Sequence, residues 1–88
     1  MALTAAGLYG RMRLIRGFEE LALRLVKSGE IVGGTHPYIG EEAVAVGVCA
    51  ALAEHDLITS THRGHGHVLA KGSDPARMLA ELTGRETG

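Results

Sequence analysis

The 88-residue sequence predicts a mostly α-helical fold with one short strand. Three observations carry that expectation. Apolar side chains recur at helical spacing through the first third of the chain, an apolar run opens behind the paired acids Glu41 and Glu42, and a last helical stretch starts at Asp74 and Pro75. Only "LITST", residues 57–61, is rich enough in β-branched residues to read as a strand.

The first helix is expected from about Thr4 to Ser28, with Leu14, Phe18, Leu21 and Leu25 at helical spacing and Glu20 four residues before Arg24. Lys27 in its last turn and Gly29 just beyond it supply a stop, because a cation suits the carbonyl end and glycine accepts a left-handed cap. Gly7, Gly10 and Gly17 weaken the first half. "IVGGTHPYIG" follows, and Gly33, Gly34, Pro37 and Gly40 make it a loop. Glu41 and Glu42 then complement the amino end of a second helix running from Ala43 to Ala53. Its apolar side chains lie on every face, so it needs covering on all sides, and this chain offers too little cover. A partner or a missing remainder is implied. The strand at 57–61 raises the same need, since one strand makes no sheet alone; its partner is expected from another chain or beyond Gly88. The last helix is capped by Asp74, carries Met78, Leu79 and Leu82 on one face, and stops at Gly84.

Size and composition bound the function. A domain of this length buries only about two-thirds of its unfolded surface, which leaves little for a large self-contained active site. The three aromatic residues and absent Trp demand an aliphatic, alanine-rich core. Thirteen glycines, about twice the usual share, are dispersed and so point to tight loops and close backbone approaches. A net charge of −1 without a run of Lys or Arg argues against nucleic-acid binding. No segment reaches the roughly 18 consecutive apolar residues of a membrane span. The lone Cys49 excludes an intrachain disulfide and suits a reducing compartment as a small buried thiol. Arg11, Arg13 and Arg16 without a neighbouring acid have the flavour of a transit peptide, but they continue unbroken into a good helix, and the expected location is cytoplasmic.

The chemistry concentrates in "THRGHGH", residues 61–67. Arg63 follows the expected strand and is flanked by Gly64 and Gly66, so a planar fork of donors sits beside backbone that a ligand can approach. That suits a phosphate or carboxylate, and His62 and His65 add donors. The end of a strand is also where open α/β sheets place ligands. A zinc site built on His62, His65 and His67 is the competing reading, but the spacing fits no standard zinc pattern and Arg63 would repel the cation; no metal ligand is assigned. A solvated turn is the plain alternative. Neither the dinucleotide nor the P-loop glycine fingerprint is present. His36 stands on a constrained loop, because Pro37 pushes it toward extended backbone, and it reads equally as a site residue or as a structural histidine.

Three blocks in order, "GGTHPYIGEEAVAVGVCAAL", "DLITSTHRGHGHVLAKG" and "DPARMLAELTGRETG", resemble the amino-terminal part of the alpha subunit of thiamine-diphosphate-dependent 2-oxo acid dehydrogenases, in the pyruvate and acetoin dehydrogenase branch. The resemblance runs from about Arg11 to Gly88. It implies that residues 1–88 are a single partial domain, a fragment of an α/β thiamine-diphosphate-binding fold. It implies that His62 and Arg63 contact thiamine diphosphate, Arg63 on the diphosphate, and that His36 and His65 are catalytic positions near the reactive thiazolium. Many members carry tyrosine at the position of His62. The family's "GDG … N" segment, which binds Mg2+, does not occur in this sequence, and the activating glutamate belongs to a beta subunit. The implied activity is decarboxylation of a small 2-oxo acid, or acetoin cleavage, with transfer of the acyl unit to a lipoyl-bearing acyltransferase. The isolated chain is expected to be inactive and prone to self-association. The alternatives are a small non-catalytic helical interaction module and a His-rich metal-binding protein.

Overall fold

The computed structural model describes residues 4–88, which form four helices in chain order: α1 at Ala5–Ser28, α2 at Glu42–Ala50, α3 at His65–Ala70 and α4 at Pro75–Leu82. Helix α1 starts where the Thr4 hydroxyl accepts the Gly7 N–H at 3.0 Å. It ends on Gly29, whose φ of 88° is open to glycine at little cost, while the Glu30 N–H returns to the Leu25 carbonyl. Helix α4 is capped by the Asp74 carboxylate on the Ala76 N–H, with Pro75 in its first turn as expected.

The core lies where α1, α2 and α3 meet. Ile15, Phe18, Tyr38, Ala45, Val46, Leu69 and Ala70 are buried together, and Met78, Leu79 and Leu82 of α4 pack against their edge. The inward stripe of α1 is shifted from the expected one. Ile15, Phe18 and Ala22 face the core with Glu19 among them, whereas Leu14, Leu21 and Leu25 are only half-buried. The phase is set by α2 and α3 on one side, and they select the face whose small Ala22 permits close approach.

Three other expectations change. Helix α2 stops at Ala50 instead of Ala53, because the Asp56 carboxylate accepts the Ala53 N–H at 2.8 Å and turns the chain. Only one side of α2 is covered: Ala45 and Val46 are buried, while Val44 and Val48 stay exposed. The expected strand at 57–61 is not formed: the segment has no regular structure and no ladder partner among the described residues. Leu57 is 95% exposed there, so this flank is apolar and open. Finally, the second half of the histidine tract is not loop but α3. Gly66 makes that helix possible, because any Cβ at this position would overlap the Tyr38 ring. Among the described residues, no helix is long and apolar enough to cross a membrane.

Candidate functional site

The loop before α2 and the segment before α3 come together around Arg63. Its Nε and Nη2 both donate to the Pro37 carbonyl, at 3.0 and 2.9 Å, and its Nη1 lies 3.4 Å from a Glu41 carboxylate oxygen. The guanidinium therefore clamps residues 37–41 to the tract, and it stays half-exposed with N–H groups on Nη1 and Nη2 still lacking an acceptor among the described residues. His36 and His62, both exposed, meet beside it edge to face with ring centroids 4.6 Å apart. Three donor-bearing side chains thus share one surface, and Glu41 offsets part of the Arg63 charge that an incoming anion would use.

His65 and His67 face the other way. His65 Nδ1 lies 2.8 Å from a carboxylate oxygen of Glu19, which is fully buried, and its ring stands edge-on to Phe18. The hydrogen bond to Glu19 raises the His65 pKa against the opposing effect of desolvation. His67 bridges Ser60 Oγ, at 2.7 Å from Nδ1, and the phenol of Tyr38, at 3.0 Å from Nε2. Ser60 donates its own hydroxyl proton to the Thr61 carbonyl, so His67 Nδ1–H donates to Ser60 and Nε2 accepts from Tyr38. Burial pushes the Tyr38 phenol up, which keeps it a donor. The Gly66 backbone, expected to be open to a ligand, is instead covered from inside by the Tyr38 ring.

The expected site residues therefore divide. His36, His62 and Arg63 are brought together, while His65 turns away from them, with Nδ1 on the buried Glu19 and its ring at the cleft beside α4. Among the described residues, no three His, Cys, Asp or Glu side chains are placed to hold one metal ion, and the three tract histidines point to three different neighbours. The sequence reading missed Glu19, Tyr38 and Glu42. Glu42 accepts from Arg16 Nε at 2.6 Å and from the Gly40 N–H, and the Arg16 guanidinium holds its carboxyl below the usual range. A signal for Glu19 was available: it lies four residues after Ile15 and three before Ala22, on the face that turns out to be buried.

A small helical scaffold presenting a histidine–arginine loop on one flank, with another flank left apolar, is the class of protein that this geometry defines. The chain belongs to the dehydrogenase E1 component family, whose pattern it matches over residues 10–88. It is 55% identical over 84 residues to the alpha subunit of acetoin:2,6-dichlorophenolindophenol oxidoreductase of Bacillus subtilis, a match covering 96% of this chain and 25% of that protein. It is 52% identical over 81 residues to the pyruvate dehydrogenase E1 component subunit alpha of Zymomonas mobilis, covering 91% of this chain and 23% of that one. The chain thus spans about a quarter of the length of the curated relatives it matches. No solved structure matches it significantly.

Proposed function

We propose that this chain forms one wall of a thiamine diphosphate site in the decarboxylating component of a pyruvate-like 2-oxo acid dehydrogenase or an acetoin dehydrogenase. The observation that carries the reading is the cluster of Arg63, His36 and His62 on one exposed surface, in a chain of the dehydrogenase E1 component family. That donor set suits a diphosphate: Arg63 retains free N–H groups, and two imidazoles stand next to it. No magnesium contact is assigned to the described residues, which hold no candidate cluster.

When bound, thiamine diphosphate would supply the carbon nucleophile and the electron sink that decarboxylation of a 2-oxo acid requires. The residues of this chain do the rest of the local work. Arg63 offsets diphosphate charge and, through the Pro37 carbonyl, fixes the loop that carries His36. His36 has no hydrogen-bond partner among the described residues, so its ring nitrogens are free to give or take a proton at the substrate oxygen. His62 sets the edge of the His36 ring and offers a further donor to the cofactor. His65 is the second catalytic candidate, reached from the core side. A beta subunit supplies the opposite wall, and the acyl unit leaves on a lipoyl-bearing partner. The isolated chain associates with itself through Val44, Val48 and Leu57, the exposed apolar flank.

The test is a graft. The matched segment of the Bacillus subtilis alpha subunit is replaced by this chain, assembled with its beta partner, and assayed with pyruvate or acetoin, with 2,6-dichlorophenolindophenol as electron acceptor. Turnover dependent on added thiamine diphosphate and magnesium is expected. A folded graft that gives none, beside an active parent enzyme, refutes the reading.

A further inference from the structure

Glu19 is the most buried acid of the chain, and nothing in the loop chemistry above uses it. Its side chain is fully buried, with one oxygen on His65 Nδ1 at 2.8 Å and the other, Oε2, without any hydrogen-bond partner. A carboxylate in that position is costly unless a cation balances it, because burial strips the water that would otherwise stabilise the charge. Among the described residues, the one cation-forming group bonded to it is His65.

The His65 ring is fixed from two sides. Glu19 holds Nδ1, and the Phe18 ring meets it at 80° with centroids 5.5 Å apart. Nε2 has no hydrogen-bond partner among the described residues and is not among the sealed polar atoms, and the ring lines a surface cleft. His65 lines a cleft of about 150 Å³ together with Val68, Met78, Glu81 and Leu82, between α3 and α4. A buried carboxylate on one imidazole nitrogen, with the second nitrogen free at a cleft, is the arrangement that orients histidine for proton transfer.

We propose that Glu19 and His65 form a carboxylate–imidazole dyad in which Glu19 is the positioning residue, locking Nδ1–H inward so that Nε2 becomes a proton donor at the cleft. The proposal rests on the reading of His65 as a site residue and deepens it by naming the atom that works and the group that sets it. The charged groups that face the ring are Glu19 from α1 and Glu81 from α4, and both favour the protonated form, as the raised His65 pKa reflects. Desolvation opposes them and is outweighed. The proton donated from Nε2 goes to an oxygen of substrate, and solvent at the cleft restores it.

The experiment has two arms. In the 88-residue chain, ring-nitrogen NMR shifts of His65 are followed between about pH 5 and pH 9, the range in which histidine charge changes. His65 is expected to remain doubly protonated above the ordinary imidazole value of about 6.5, and to leave the Nδ1–H tautomer when it loses its proton. Glu19→Gln keeps an acceptor for Nδ1–H but removes the charge, so the tautomer is retained and the midpoint falls. Glu19→Leu removes both. If the variants fail to fold, the wild-type spectra decide, and a His65 that loses its proton at or below the ordinary imidazole value, or settles as Nε2–H, overturns the dyad.

The second arm uses the graft. With the proton on Nε2 required, activity falls as pH rises through the His65 midpoint, so Glu19→Gln shifts that limb to lower pH while thiamine diphosphate affinity is unchanged. A midpoint that moves in the spectra without moving the activity limb reduces Glu19 to a staple between α1 and α3 and overturns the proposal. A graft inactive in every form counts against the site reading of His65 instead, and the spectra still judge the dyad.

Discussion

The outer and inner halves of the histidine tract differ more than their composition does. His62 and Arg63 lie on the irregular segment before α3, half-exposed or exposed, beside a loop 26 residues earlier that they help to hold. His65 and His67 sit on α3, and each has a neighbour in the interior: Glu19 for one, Tyr38 for the other. The same residue type is therefore a solvent-facing donor in one half and bonded to a buried side chain in the next turn. What decides is that the inner half is helical, so two histidines two positions apart leave α3 on different sides, His65 toward Glu19 and His67 toward Tyr38.

Four changes probe that division, from the largest expected effect to the smallest. Replacing Arg63 by Ala in the grafted alpha subunit removes a charge-assisted contact to the diphosphate, on the order of 2–4 kcal/mol of cofactor affinity. Because Arg63 also holds the Pro37 carbonyl, some turnover should stay lost at saturating cofactor. Arg63→Lys should recover only part, since an ammonium cannot reproduce a two-nitrogen contact with one oxygen while reaching an anion. Cofactor titrations that show full recovery by Lys would mean that a point charge suffices and that the clamp is dispensable.

His36→Ala should act on turnover alone, by about 10²-fold, the scale of a lost proton-transfer group. Steady-state kinetics at rising thiamine diphosphate check it; rescue by extra cofactor would show that His36 binds and does not catalyse.

For the inner half, Gly66→Ala drives a methyl group into the buried Tyr38 ring, whose phenol is tied to His67. Overpacking of this kind costs about 1–3 kcal/mol, more than the gain of alanine over glycine in a helix, which is up to about 1 kcal/mol. Gly64→Ala meets only the Ser60 hydroxyl and the Thr61 carbonyl and should cost less. Urea unfolding of both variants compares the two halves directly, and equal losses would erase the distinction between them.

The smallest effect is in pH. His65 has a raised pKa, so its contribution to stability is complete below its unfolded value of about 6.5 and is lost as pH rises through the folded value. Glu42 has a lowered pKa, held by Arg16, so its contribution is present above about 4.5 and is lost as pH falls through the folded value. Urea midpoints of the parent chain, His65→Gln and Glu42→Gln across this range should converge with the parent at high pH for the first variant and at low pH for the second.

How much of this was legible in the sequence follows from how far apart the interacting residues are. Helix α1, its stop at Gly29, the loop around Pro37 and the Asp74–Pro75 start of α4 all stand as read, because capping side chains, left-handed glycines and proline act within a few residues. The ordered blocks from Gly33 onward likewise carried the family resemblance, which named His36, His62, Arg63 and His65 as one site, and the structure brings together the first three. The strand expected at 57–61 did not form, since pairing is a property of two segments and the described residues supply no second one.

What the sequence by itself determined is thus the local grammar: where helices start and stop, which loop is rigid, and which short tract bears the donors. Only the tertiary structure decided that Glu19 is buried, that "HGHVLA" is helical despite its glycine, and that Arg63 grips Pro37. Each of these depends on a contact between residues 26 to 46 positions apart, Arg16 with Glu42 and Glu19 with His65 among them. Helical periodicity ranks the faces of α1, but the phase that is finally buried is chosen by the elements that pack against it, and a carboxylate is admitted to that face only because an imidazole arrives from elsewhere to balance it.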